Sequence, residues 1–184
     1  ARVNVVATRD SRIVATGTGV DGNVNISVVT ETVVAAVPIA ILYGVAVAIT
    51  DIEQNVVIES ELQVAGDFRA ASMIDASSTS RIANTGLGPA AVSIGVNQVH
   101  ITNDLLVTPQ MGSTVGGDLR ATAHTIERIY SNISSTVSAK KRGAIALAIE
   151  EGENTTTSRV ASAGLNVSGN LIVEASSHKL GVNV

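Results

Sequence analysis

The chain has 184 residues, a net charge of −4 and no cysteine, and 45% of it is apolar although only 2% is aromatic. No basic surplus marks a nucleic-acid footprint, no aromatic set offers a base-stacking platform, and no thiolate is present for a disulfide framework or a metal. Val, Ala, Ile and Leu carry the apolar bulk, which suits thin stacked β layers rather than an aromatic core. Its high hydrophobicity excludes a disordered polar tract.

The length fits one domain, 1–184. No secretory leader is visible, because Ala1-Arg2-Val3 opens directly into alternation. The end, Leu180–Val184, echoes the start, Arg2–Val6. The expectation is a slice or subunit of a longer stacked array.

Residues 1–31 carry alternation at Val3-Asn4-Val5, a charged turn at Arg9–Arg12, a short strand at Ile13–Ala15 and a glycine-rich turn. A phrase then begins that returns three times. Gly22-Asn23-Val24-Asn25-Ile26 recurs as Gly66-Asp67-Phe68-Arg69-Ala70, Gly117-Asp118-Leu119-Arg120-Ala121 and Gly169-Asn170-Leu171-Ile172-Val173. Each copy is a Gly-Asx turn followed by period-two alternation, which predicts a strand with one buried face. Gly suits such a turn through its tolerance of positive φ, and Asx through bonding to nearby backbone. Val24, Phe68, Leu119 and Leu171 are the candidate inward residues. Recurrence at 44–52 residues signals stacked repeats.

Val33–Ile49 is uncharged and almost wholly apolar. It is short for a membrane helix of about 20 residues and holds Pro38 and Gly44. Two buried strands, Val33–Val37 and Val45–Ile49, are the better reading. Val45–Ile49 recurs as Val92–Val96 and Ile145–Ile149, with Val3-Asn4-Val5 as a first copy. Polar turns follow at Thr50–Asn55, Asn97–Asp104 and Glu150–Thr157, and Ser/Thr-rich connectors at Ser77–Pro89 and Glu127–Arg142. Thr122–Ser131 is the one weak helix candidate. A period near 50 suggests two rungs of about 20–30 residues per repeat. Arg69 and Arg120 would then lie two strand spacings, about 9.6 Å, apart.

Gly143–Ile149, then Asn154-Thr155-Thr156-Thr157, then Val167–Ser176, resembles the repeats of large bacterial exoproteins of the filamentous-haemagglutinin and autotransporter-adhesin type; Ala65–Ser72 has the same cadence. The resemblance implies a right-handed parallel β-helix, export, and an extracellular or cell-surface location. It carries no catalytic residue across.

Few constellations suggest chemistry. Asp51 with Glu53, or Glu59 with Glu61, puts two carboxylates on one strand face, as glycoside hydrolysis requires, but charge on an exposed face is the default. Glu150-Glu151-Gly152-Glu153 with Asn154 offers oxygen ligands for Ca²⁺, although a solvated acidic turn fits the spacing better. Asp67 and Asp118 read as caps of their own turns. His100, His124 and His178 read as isolated surface residues. Lys140-Lys141-Arg142 is a basic run, read as a solvated loop. Sequons occur at Asn25, Asn132, Asn154 and Asn166. The Thr155-Thr156-Thr157 run is not repeated, which argues against an ice-binding array.

The expected molecule is therefore all-β: a parallel β-solenoid of about four repeats, without enzymatic activity, cofactor, metal or membrane span. Its expected role is the stalk or adhesive rod of an exported bacterial surface protein. The alternatives are a self-assembling extracellular filament and a carbohydrate-active β-helix enzyme. The expected partners are neighbouring repeats or copies of itself through terminal strands, and a host or cell-surface carbohydrate or protein.

Overall fold

The period-two alternation runs much further than the short phrases suggest. A computed structural model describes residues 2–7, 12–16, 22–38, 43–86, 90–137 and 143–183. These contain the strands β1 Arg2–Ala7, β2 Arg12–Ala15, β3 Val24–Ala36, β4 Tyr43–Ile58, β5 Glu61–Val64, β6 Phe68–Gly86, β7 Ala90–Val107, β8 Thr114–Val115, β9 Leu119–Val137, β10 Gly143–Val160, β11 Asn166–Val167 and β12 Leu171–Asn183. Every strand pairs in parallel. Three sheets result, ordered β1-β4-β7-β10, β11-β8-β5-β2 and β12-β9-β6-β3. The chain is the expected all-β parallel solenoid. Among the described residues no helix is long and apolar enough to cross a membrane.

Each sheet takes one strand from each repeat, so a repeat is one long coil and not two short ones. The register aligns Val24 with Phe68, Phe68 with Leu119, and Leu119 with Leu171. Arg69 and Arg120 are therefore direct neighbours, and the Asp67 carboxylate, 3.2 Å from the Arg69 guanidinium, offsets their repulsion. The extra length is strand. The polar stretches Thr50–Asn55, Asn97–Asp104 and Glu150–Thr157 lie within β4, β7 and β10. The connector residues Ser77–Gly86 and Glu127–Val137 complete β6 and β9, and β9 also contains Thr122–Ser131. Val3 aligns with Gln54 rather than with Val45. The charged turn is outside the described residues over 8–11.

The polar stretches are strands because the inward-facing Gln54, Asn97, Asn103 and Thr156 find hydrogen-bond partners inside. At the head of the coil the three sheets enclose an apolar core that includes Val56, Leu62, Phe68, Leu105, Val115 and Leu119. A polar belt follows. Gln54 is bonded by Thr30 and donates to Ser72 Oγ at 2.7 Å; Ser72 bonds Asn103, which donates to Thr125 Oγ1 at 3.1 Å; Thr156 donates to the same oxygen at 2.8 Å. This chain of bonds runs along the solenoid axis through all four coils. Ile52, Ile74, Val99, Ile101 and Ile129 form a second apolar cluster beyond it. A second belt joins Ser80 to Asn97 at 2.8 Å and Asn97 to Ser131 at 2.8 Å. Buried amides and hydroxyls are tolerated when paired in this way.

Past the second belt, Ile82 and Ile133 of the third sheet fill the gap between the first and third sheets, and the first sheet turns only small side chains into it. Ala46, Ala48, Ala91, Ser93 and Gly95 face inward. A Cβ on Gly95 would lie 2.0 Å from Ile133 Cδ1. The bulkier partners in the alternation are turned out. The stretch Val33–Ile49 thus supplies two strands as expected, but its large side chains are not buried: Val33 is 78% and Val45 59% exposed.

The repeated Gly-Asx phrase is a ladder between coils. Asn23 Oδ1 accepts the Asp67 N–H at 2.7 Å, Asp67 Oδ1 accepts that of Asp118 at 3.0 Å, and Asp118 Oδ1 accepts that of Asn170 at 2.7 Å. Each carboxylate or amide caps the coil above it, not its own turn. Glycine is required by close approach rather than by positive φ. A Cβ on Gly117 would lie 2.2 Å from Asp67 Oδ1, and one on Gly169 would lie 2.4 Å from Asp118 Oδ1. The positive-φ glycines among the described residues are Gly112 and Gly164.

Candidate functional site

The outer face of the first sheet is where stacking gathers exposed side chains of one kind. Outward positions repeat in register along the coil axis. Tyr43, Val92 and Ile145 form one column, Val45, Ile94 and Leu147 the next, and Val47, Val96 and Ile149 a third. Ile49 extends this apolar block. Beyond it the columns turn polar: Gln98 with Glu151, then Asp51, His100 and Glu153, then Glu53, Thr102 and Thr155. A shallow groove of about 280 Å³ lies over this part, lined by Ile49, Thr50, Asp51, Gln98, Val99, His100, Glu151 and Glu153. Gln98 donates to Glu151 Oε2 across it at 3.0 Å.

His100 is therefore not isolated. It is aligned between Asp51 one coil before and Glu153 one coil after, partners that lie about a repeat away in sequence. His124 and His178 also meet, with ring centroids 5.4 Å apart, and His124 Nδ1 is 2.7 Å from Ser176 Oγ. Linear spacing hides such pairs, and only the register reveals them. Asp51 and Glu53 do share an outer face. Glu61 is instead held by Arg12 at 3.5 Å and by Gln63 at 3.1 Å.

The acidic quartet does not act as one ligand set. It lies on β10, so Glu151 and Glu153 face outward while Glu150 and Gly152 face inward. Gly152 leaves room for the buried Glu127 carboxylate, since a Cβ there would sit 2.0 Å from Glu127 Oε1. Lys179 Nζ, 3.5 Å from that oxygen, supplies the countercharge. Among the described residues no three His, Asp or Glu side chains gather to hold a metal ion. Asn25, Asn132 and Asn166 are exposed sequons, whereas Asn154 faces inward. Thr156 also faces inward, which breaks up the Thr155–Thr157 run. Lys140–Arg142 lie outside the described residues.

One shifted group sits on the Gly-Asx ladder. The N–H of Asp118, donating to Asp67, holds the Asp67 carboxyl below the ordinary aspartate value; partial desolvation opposes this, and Arg69 reinforces it by hydrogen bond and charge.

A second notable surface is the end of the stack at β10–β12. In the inward column of the Gly-Asx phrase Phe68 and Leu119 are fully buried, but Leu171 is 55% exposed. Val173, next inward along β12, is also exposed, and Leu165 and Val167 line a shallow hollow with Leu171. No protein-family model, curated protein or solved structure matches the chain.

Proposed function

We propose that this chain is a structural segment of an exported, surface-located protein, a stalk or adhesive rod lengthened by stacking coil on coil. The observation that carries the reading is the open core column at Leu171 and Val173. Apolar side chains that every inner coil buries lie bare there, beside strand edges of the kind that template further pairing. The exoprotein-like cadence of the repeats supports export to the cell surface, with a carbohydrate or protein of a host or cell surface as the rod's target. The groove that gathers Asp51, His100, Glu151 and Glu153 is shallow, and Gln98 bonds Glu151 across it, which favours this over a carbohydrate-active enzyme.

A second reading, a filament of copies joined head to tail, draws on the inward residues Val24, Ile26 and Val28 of β3. In a continued register they would lie on Leu171, Val173 and Ala175, apolar on apolar. Such a contact does not close and builds a fibre.

Sedimentation and electron microscopy of the chain test both readings. End-to-end association that Leu171→Asp abolishes is the expected result. A monomer at high concentration, with its terminal strands protected from hydrogen exchange, would sink them. Polysaccharide turnover lost in Asp51→Asn or Glu59→Gln would put the enzyme in their place.

A further inference from the structure

Of the three histidines in the chain, stacking brings two together on the outer face of the third sheet. His124 lies on β9 in the third coil and is half-buried; His178 lies on β12 in the fourth and is exposed. The register aligns His124 with Ser176 and His178 with Ile126. The two histidines are therefore diagonal neighbours, one strand across and two residues along, roughly 8 Å apart at Cα. Their rings lean together until the centroids are 5.4 Å apart, with the planes at 64°.

We infer that His124 and His178 together bind a divalent transition-metal ion, Cu²⁺ most tightly, in a chelate that staples the fourth coil to the third. Imidazole nitrogen suits copper, nickel and zinc, and Cu²⁺ heads the order of affinity among them. No third His, Asp or Glu joins the pair among the described residues, so water completes the coordination shell.

Separation, orientation and charge each support the site. Metal–imidazole bonds of about 2.0–2.1 Å, at angles of about 90–120°, put two ring centroids roughly 4.5–5.5 Å apart. The observed 5.4 Å lies in that range with the backbone as it stands. His178 is exposed, so its ring turns a nitrogen to the shared point by rotation about its own side-chain bonds. His124 is oriented from behind, with Nδ1 2.7 Å from Ser176 Oγ. When Nδ1–H donates to that oxygen, Nε2 carries the lone pair and its direction is fixed, the usual arrangement behind a metal-bound histidine. The nearby cations are engaged elsewhere: Arg128 is bonded to Asp75, and Lys179 turns inward to Glu127. Glu174, two residues before Ser176 on the same exposed face, adds negative charge that favours a cation.

The test titrates Cu²⁺ alone into the complete chain, followed by calorimetry and electron paramagnetic resonance. One ion per chain, with two nitrogens in its equatorial plane, is the expected result. His178→Gln and His124→Gln should each weaken binding at least tenfold while leaving the far-ultraviolet circular dichroism unchanged. His100→Gln should leave the affinity as it is. Ser176→Ala keeps both imidazoles and should weaken binding by a smaller factor; an unchanged affinity would remove the serine from the site. Zn²⁺ should slow amide hydrogen exchange in β12 of the parent chain but not of His178→Gln, which distinguishes a staple between coils from an ion held by one of them. Absence of saturable binding, a spectrum with a single nitrogen, or binding that survives both glutamine substitutions overturns the site. Exchange in β12 that Zn²⁺ leaves unchanged overturns the staple. Failure of axial stacking would leave this result untouched, because both rings point sideways from the coils and neither belongs to the stacking surface.

Discussion

Leu119 and Leu171 occupy the same inward column one coil apart, and truncating each to alanine measures what the next coil contributes. Leu119 is completely buried between Phe68 and Leu171. Leu119→Ala removes three carbons, roughly 2.4 kcal/mol at about 0.8 kcal/mol each. It also leaves a cavity that adds roughly 1–1.5 kcal/mol at about 24 cal/mol per Å³. The expected loss is about 3–4 kcal/mol. Leu171 is 55% exposed, so its truncation should forfeit less than half of the transfer contribution and open no cavity, about 1 kcal/mol. Urea denaturation followed by circular dichroism, at a concentration where the chain sediments as a monomer, reads both. With a slope near 2 kcal/mol/M the midpoints should fall by about 1.5–2 M and about 0.5 M. Equal losses in the monomer would mean that the column is not open at β12. A loss below about 1 kcal/mol for Leu119 would mean that it is not core.

Two further outcomes follow from the Gly-Asx ladder. Because the folded Asp67 carboxyl titrates below its unfolded value, its contribution is complete above the ordinary aspartate pKa of about 3.9 and is lost as pH falls through the lowered folded value. Asp67→Asn, which keeps the acceptor for the Asp118 N–H, should flatten stability against pH below the ordinary aspartate value of about 3.9, and an unchanged acid limb would exclude Asp67 as its source. Gly117→Ala should cost about 1–3 kcal/mol in chemical denaturation by forcing two coils apart. Gly143→Ala, with nothing within 4 Å of the added carbon, should stay within about 0.5 kcal/mol of the parent.

What was legible in the sequence was whatever repeats in phase. Val24, Phe68, Leu119 and Leu171 could be aligned because each follows its Gly-Asx pair at the same distance, and stacking obliges equivalent positions to face the same way. Coil length was not legible, because Gln54, Asn97 and Asn103 look like turn residues to a reading that sends polar side chains to solvent. Their partners Ser72, Ser131 and Thr125 come from the opposite sheet, 18–34 residues away. The facing of Val45–Ile49 was hidden for the converse reason. Period two defines two faces but does not say which is inner, and here the gap beside Gly95, filled by Ile133, chooses the small one. His100 between Asp51 and Glu153 follows from register alone.

The polar belts pose the last question, since an all-apolar interior would bury the same surface without exact pairing of amides. Their effect lies in register. A slip of one residue between coils is forbidden, because it exchanges the faces. A slip of two keeps every face, and in the narrow part, where Ala46, Ala48, Ala91 and Ser93 are nearly alike, packing resists it weakly. With the belts in place, a two-residue slip of β7 against β4 would move Asn103 beside Ile52 or Val56 instead of Gln54, orphaning buried polar groups at about 1–3 kcal/mol each. Asn103 bonds Ser72, the His124 carbonyl at 3.0 Å and Thr125. Asn103→Leu leaves Ser72 and Thr125 their bonds from Gln54 and Thr156 but takes the acceptor from the buried Ser72 O–H; it should therefore lower stability by about 1–3 kcal/mol, and should multiply amide resonances from β7 as slipped and native registers coexist. A variant with a single sharp set of resonances and unchanged stability would show that apolar packing alone holds the coils in step.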